Sequence, residues 1–358
     1  MHEEIGRRLA ALPPAQRRRA DRLLDVRIVH GRTVPPPELE PWLIDVFGSV
    51  DAVREQAIVK VTNLATLDAT IFSPLRTRRP VDDPTHARDL AAEIEATDDD
   101  PFCHPETGTP ADTFGRIRGP RMVTGANAAL ADAHHAVIVF DAHDPLAFDA
   151  ELVSEILSTG RAWAERARTD DPTSVNYLLI WNCLWRAGGS IVHGHAQAIL
   201  GSGPHYERAE RLRRDAAIYA DRYGGGDLVE ELVAVHRSIG LAIEMDDGVT
   251  LMANLTPRKE RELVLVGSAG MDENDPRFAG ALGRTVVAYR DRIGVRSFNL
   301  ALWRPPLASA EAWAQIPPIV HLVDRGDPFS RPSDIGAMEL YGTPIVGTDP
   351  FELIDALR

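Results

Sequence analysis

Residues 193–197 read HGHAQ, two histidines and a glutamine at alternating positions with Gly194 and Ala196 between them. On a β-strand this spacing sends His193, His195 and Gln197 to one face, because successive side chains alternate between faces. A neutral imidazole offers one ring nitrogen as a metal ligand or as a nucleophile toward phosphorus, and a carboxamide donates to a phosphoryl oxygen while accepting elsewhere. Just upstream, Gly188 and Gly189 present backbone N–H groups and Ser190 a hydroxyl, all suited to anionic oxygens. Taken alone, the pentapeptide leaves a metal clip, a nucleophile and a plain strand open. With its upstream glycines and serine it fits phosphoryl or nucleotidyl transfer through histidine.

The elements that must position these residues are legible on either side. HAVIVFDAH (135–143) is a short continuous apolar run of the kind a buried strand shows. DAELVSEILSTGRAWAERART (149–169) carries helical periodicity with acidic residues in its first turn. SVNYLLIWNCLW (174–185) and GSIVHGHAQAIL (189–200) return to strands, so the order strand, helix, strand predicts a mixed α/β or α+β layer. A polar helix over 201–226 closes on Gly224, Gly225 and Gly226, and a second round of strands follows in 248–257, 262–270, 296–306 and 318–328. One helix falls among them, over 275–293, and PFELIDALR ends the chain as another.

Before the first of these strands, residues 3–31 alternate arginine clusters with Leu, Ala and Val at helical spacing around Pro13 and Pro14, and read as two amphipathic helices. Arg17, Arg18 and Arg19 are followed at once by Asp21 and Asp25, which makes a solvated helix face the favoured reading over a nucleic-acid contact. A proline-rich connection and a further helix complete an N-terminal helical extension over 1–55. AIVKVTNL and ATIFSPLRTRRP then begin the strand-bearing chain, and TDDDPFCHPETGTP (97–110) reads as an exposed acidic loop.

The 358 residues are 44% hydrophobic and 26% charged, enough apolar mass for a large core. A net charge of -14 argues against a nucleic-acid coat protein, whose affinity comes from clustered Lys and Arg. Two cysteines, Cys103 and Cys183, are too few for a disulfide framework and fit a reducing compartment. With no apolar leader after MHEEIGRR and no apolar run of membrane-spanning length, the sequence reads as a cytoplasmic protein with no membrane partner.

The stretch from Asn182 to Gln197, NCLWRAGGSIVHGHAQ, resembles the active-site segment of galactose-1-phosphate uridylyltransferases, members of the histidine-triad superfamily. Asn182, Ala187, Gly188, Ser190, His193, His195 and Gln197 match, and Leu184 stands where the family has glycine. FSPLRTRRP is similar to the family's S-P-x-R-x-x-R-P, DPFC to its C-P-F-C, and VIVFDAHDP to its V-I-x-x-x-x-H. SFNLALWRPP and HLVDRGDPFSRPSDIGAMELYG resemble its C-terminal half, so the likeness runs from about residue 60 to the end.

The resemblance implies an α+β fold of two tandem histidine-triad-like halves, 56–203 and 204–358, each an antiparallel sheet with packed helices, and a homodimer. It implies a nucleotidyltransferase that moves a nucleoside monophosphate, UMP, between a nucleotide sugar and a sugar 1-phosphate by double displacement. His195 would be the nucleophile, Gln197 would hold the phosphoryl oxygens and Ser190 the departing phosphate. Arg76 and Arg79 would bind nucleotide phosphates, with Asn182, Gly188, Gly189, Asn127 and Glu339 as further substrate contacts. Asp100, Cys103, His143 and His193 fall where family members hold a structural zinc, with His104 as a substitute for Asp100.

Departures gather on the sugar side. Trp303 replaces a histidine and His321 alone remains of a second H-x-H, so no iron is expected there. Ser333 and Met338 stand where galactose-processing members have lysine and tyrosine, which leaves the sugar open. A phosphorylase or hydrolase of a nucleotide sugar or dinucleoside polyphosphate, using the same His195, is the second reading. A non-catalytic nucleotide-binding relative is the third.

Overall fold

The computed structural model describes residues 2–78, 89–308, 311–330 and 335–358; Arg79 and Ser333 lie outside the described residues. The chain opens with α1 (His2–Ala10) and α2 (Pro14–Leu23), which bury Ile5, Leu9, Ala20 and Leu23 in the main core. Here the purely helical reading of 3–31 fails, because Leu24–Arg32 is a strand, β1. Val26, Ile28 and Val29 favour extended backbone, and the whole segment pairs antiparallel with β2 (Glu55–Asn63), a partner too far along the chain for local periodicity to reveal. Between them lie α3 (Glu40–Phe47) and α4 (Val50–Arg54), and β3 (Ala69–Phe72) follows β2.

After α5 (Leu90–Glu95) and α6 (Pro105–Gly108) come β4 (Arg118–Gly119), β5 (Met122–Ala126), β6 (His134–Phe140), α7 (Ala150–Asp170), β7 (Asn176–Cys183) and β8 (His195–Gly201). The second half has α8 (Glu207–Arg222), α9 (Leu228–Ser238), β9 (Ala242–Asp246), β10 (Val249–Ala253), β11 (Leu263–Val266), α10 (Pro276–Asp291), β12 (Phe298–Trp303) and β13 (Ile319–Asp324). Last are β14 (Ile345–Val346), which pairs with β3 to close a four-stranded sheet, and α11 (Pro350–Asp355).

All the remaining strands form one ten-stranded sheet in the order β4-β5-β6-β8-β7-β12-β13-β11-β10-β9. That order is a palindrome in connectivity: each half runs three strands, a helix, then two strands, and the halves meet edge to edge where β7 pairs antiparallel with β12. The expected two halves are present, fused into a continuous sheet with a local two-fold relation. Asn182 stands opposite Asn299 at this seam, and the Asn299 amide donates to Asn182 Oδ1 at 2.7 Å. Among the described residues no helix is long and apolar enough to cross a membrane.

Alternation then decides what each face does. Ala136, Ile138, Phe140, Ala196, Ala198 and Leu200 face a core shared with Leu152, Ile156 and Trp163 of α7. The opposite, front face carries His135, Val137 and Val139 of β6 beside Gln197 and His195 of β8. In the second half this front face is covered, because Val229 and Val233 of α9 pack on Met252, Val264, Val266 and Ile319.

Behind the sheet, α7 and α10 cross so closely that a Cβ on Gly283 would lie 2.4 Å from the Ala150 carbonyl oxygen and 2.9 Å from its Cα. Intrinsic helix propensity favours alanine over glycine by about 1 kcal/mol, whereas forcing a methyl against backbone costs about 1–3 kcal/mol. Gly283→Ala is therefore expected to lower the urea unfolding midpoint; a raised midpoint would refute the close crossing.

Candidate active site and metal centre

The expected strand over 189–200 begins only at His195, so that His193 lies in the bend before it. Residues 184–189 form a tight turn instead, with Trp185–Ala187 as a short 3-10 helix and Gly188 in the left-handed region. Leu184, at the family's glycine position, has φ 68° and ψ 169° while fully buried, a conformation that only glycine adopts without strain. Gly194 has a packing reason as well, since a Cβ there would meet the Phe140 ring at 2.8 Å and the Ala142 carbonyl oxygen at 3.1 Å. The chain is thereby pressed onto the end of β6, and the Phe140 amide donates to Gly194 O at 2.9 Å.

His195 is 6% exposed. Its Nδ1 lies 2.8 Å from the carbonyl oxygen of His193, which can only accept, so the proton resides on Nδ1 and the lone pair on Nε2. Burial pushes this imidazole below its ordinary pKa, with the carbonyl hydrogen bond opposing, so the neutral form prevails at neutral pH. Phe102 stands edge-on over the ring at a centroid distance of 5.0 Å and packs with Val137 and Val139. The loop over 97–110, expected to be exposed, thus delivers a buried aromatic to the front face.

His193 takes a different part. Its Nε2 donates to the Phe140 carbonyl at 2.8 Å, which leaves Nδ1 unprotonated and directed at a cluster formed with Asp100, Cys103 and His143. His143 is fixed the same way, with Nε2 donating to Ile94 O at 3.0 Å and Nδ1 turned inward. The two inward nitrogens lie 3.2 Å apart, and each lies 3.4 Å from Cys103 Sγ. Asp100 Oδ1 accepts the Phe102 and Cys103 amides, whereas its buried Oδ2 has no hydrogen-bond partner.

Four acceptors therefore converge with one thiol proton among them, since both ring protons are committed outward and burial keeps the Cys103 proton on in the absence of a cation. Such a set is repulsive until a cation enters it. The four ligand atoms lie within 4.8 Å of one another, and among the described residues this is the one convergent group of three or more His, Cys, Asp or Glu side chains. The residues present fit a metal ion, and Asp100, not His104, supplies the fourth position; His104 instead faces Asp99 at 2.9 Å.

The other sequence-expected residues are spread more widely. Gln197 shares the front face with His195, and its Oε1 is 3.0 Å from His135 Nε2. Asn127 lies beside it, with its amide 3.3 Å from the same His135 nitrogen. Gly188 and Ser190 are exposed and Gly189 is buried in the turn leading to His193. Asn182 is held in the seam by Asn299, which also donates to Ala187 O at 2.7 Å. Arg76 is exposed in the 3-10 turn after β3, and among the described residues it makes no hydrogen bond or ion pair to the histidine segment. Glu339 pairs with Lys259 at 3.0 Å in the C-terminal half.

Sequence reasoning passed over His135 and Phe102. His135 was signalled by its period-two spacing with Val137 and Val139, which places it on the histidine face. In the second half, Trp303 stacks on His321 at a centroid distance of 4.1 Å, Glu262 accepts from His321 at 2.7 Å, and the Arg258 guanidinium lies 4.9 Å from the Trp303 ring. A fixed cation thus stands beside the one surviving histidine.

The fold is one of two fused halves of matching topology. No protein-family model and no curated protein sequence matches the chain. Among solved structures, an ADP-glucose phosphorylase from Arabidopsis thaliana superposes with a TM-score of 0.62 at 16% identity, covering 85% of this chain and 98% of that one. A uridylyltransferase gives 0.56 at 14% identity over 70% of this chain and 87% of its own. A galt-like protein from Arabidopsis thaliana gives 0.55 at 15%, covering 73% and 92%. The chain shares the fold of these proteins.

Metal analysis of the purified chain is expected to find about one ion bound per molecule. Cys103→Ser and Asp100→Ala should each lose it on dialysis against a chelator, with a fall in the thermal midpoint. A metal-free preparation as stable as one supplied with metal would refute the site.

Proposed function

We propose that the protein is an enzyme that transfers a nucleoside monophosphate from a nucleotide sugar, through a covalent nucleotidyl-histidine on His195, to a phosphate-bearing acceptor. The observation that carries this reading is the proton placement on His195: Nδ1–H is tied to the His193 carbonyl and the Nε2 lone pair is left for phosphorus. Nε2 forms a bond to the α-phosphorus, and the bond from that phosphorus to the bridging oxygen breaks. Sugar 1-phosphate leaves with the electron pair, already a stable anion that needs no general acid. The imidazolium so formed keeps its Nδ1–H on the His193 carbonyl, whose partial negative charge opposes the new positive one.

An oxygen of the acceptor phosphate then attacks the same phosphorus and returns the lone pair to Nε2. In this scheme Gln197 donates to the non-bridging oxygens, and Ser190 with the turn at Gly188 and Gly189 provides donors for the departing phosphate. Arg76 and Arg79 are assigned to the nucleotide phosphates by their motif. Zinc is the metal that a sulfur, two imidazole nitrogens and a carboxylate fit best, and it would act structurally, holding His193 through Asp100, Cys103 and His143.

For the acceptor, a sugar 1-phosphate with UMP as the transferred group is the first reading. Inorganic phosphate is the second. It is favoured by the non-family residues on the sugar side, Trp303 and Met338, and by the likeness across 98% of a phosphorylase whose structure holds ADP-glucose.

Incubation with UDP-glucose, UDP-galactose or ADP-glucose without acceptor is expected to add one nucleoside monophosphate to the intact mass. The adduct should be absent in His195→Gly and discharged by inorganic phosphate or a sugar 1-phosphate, whichever is the true acceptor. An adduct that persists in His195→Gly would remove His195 from the role, and no adduct with any donor would remove the double displacement.

A further inference from the structure

Beside the candidate nucleophile, one buried histidine has no part in the scheme above. His135 is 5% exposed, lies on β6 facing the same side as Gln197, and contacts three groups through its two ring nitrogens. The Ala131 backbone N–H points at Nδ1 from 3.1 Å. Gln197 Oε1 lies 3.0 Å from Nε2, and the Asn127 amide nitrogen 3.3 Å from it.

These contacts choose the tautomer. A backbone N–H can only donate, so Nδ1 must carry a lone pair, and the single proton of the neutral ring then sits on Nε2. That proton is directed at Gln197 Oε1, which can only accept. The opposite tautomer would set Nδ1–H against the Ala131 N–H and the Nε2 lone pair against the Gln197 oxygen, satisfying Asn127 alone. The doubly protonated ring would still oppose Ala131. Asn127 has its own oxygen committed to the Ala129 amide at 2.9 Å, so it flanks the ring without reversing the choice.

We propose that His135 is a positioning residue that fixes which way the Gln197 carboxamide points. With Oε1 held by His135, the two N–H donors of Gln197 are turned away from that ring, on the face that also carries His195. An anionic phosphoryl oxygen there meets donors. A carboxamide free to rotate by half a turn would present its oxygen to the same anion and repel it. The chain of dependence runs from a backbone amide at residue 131, through one imidazole proton, to the donor set of the site. The chemical consequence rests on the nucleotidyl-transfer reading above, whereas the tautomer does not.

Two measurements separate these. Long-range nitrogen–proton spectra of chain labelled at histidine, with the His135 signals identified by their loss in His135→Gln, are expected to show an unprotonated Nδ1 and a protonated Nε2 at neutral pH, whether or not any donor reacts. A protonated Nδ1 overturns the proposal regardless of activity.

In the second measurement, His135→Phe, which keeps a ring and removes the donor, is expected to slow formation of the nucleotide adduct by up to about 100-fold, the lower end of the roughly 100- to 1000-fold cost of removing an oxyanion donor outright. His135→Gln, which restores an N–H near the Nε2 position, should recover most of that loss. In a Gln197→Ala background the His135→Phe change should add less than about 2-fold, because the two residues act as one unit. Losses that multiply in the double variant, or a His135→Phe variant that reacts at the full rate, overturn it. If no donor labels the chain, the nucleotidyl-transfer reading fails by itself and the spectra still decide the tautomer.

Discussion

The antiparallel seam between β7 and β12 converts two modest sheets into one ten-stranded surface, and the geometry of the front face follows from it. Asn182 and Asn299 meet there side chain to side chain, and Asn299 also reaches the Ala187 carbonyl in the turn before the histidines. A hydrogen bond of this kind contributes only about 1 kcal/mol to stability. Its larger effect is on position, because it ties the loop that delivers Ser190 and His193 to a strand of the other half. Arg186 extends the tie, donating to Arg325 O at 3.2 Å and to Ser330 O at 2.9 Å. The halves are thus coupled where the chemistry is expected, while their helices pack behind.

On the front face, main-chain groups fix the protons of three histidines that are neighbours in space, His135 from β6 and His193 and His195 from the later segment. Each ring has one nitrogen claimed by a main-chain group: the His193 carbonyl for His195, the Phe140 carbonyl for His193, and the Ala131 amide for His135. Two carbonyls and one amide produce two kinds of tautomer, and the remaining nitrogen keeps a lone pair on His195 and His193 and carries the proton on His135. Residue type sets the repertoire and backbone placement selects from it.

Much of this was readable from spacing. Alternation places His195 and Gln197 on one face, His193 lies in the bend before that strand, and the apolar runs of β6, β7, β10, β11, β12 and β13 announce themselves as strands. The metal group was accessible only through the likeness of DPFC and VIVFDAHDP to a known pattern, since its members come from a turn, a strand end and a loop far apart in sequence. What escaped reading depends on non-local partners. β1 looks helical until β2 is seen beside it, and the partner of Asn182 across the seam, Asn299, lies in the other half of the chain. His135 is hidden inside an apolar run because a buried polar group is recognisable only by the partners that satisfy it.

The four-stranded sheet has a consequence for the order in which the chain can fold. β1 and β2 pair within the first third of the chain, but the free edge of β3 is covered only by β14, near the other end. The Ile71 amide waits for Pro344 O and the Ser73 amide for Val346 O, at 3.0 and 2.8 Å in the finished structure. Contacts spanning so much sequence form late, because loop-closure entropy must be overcome before they contribute. Until then β3 is an open template for strand pairing, which β14 closes.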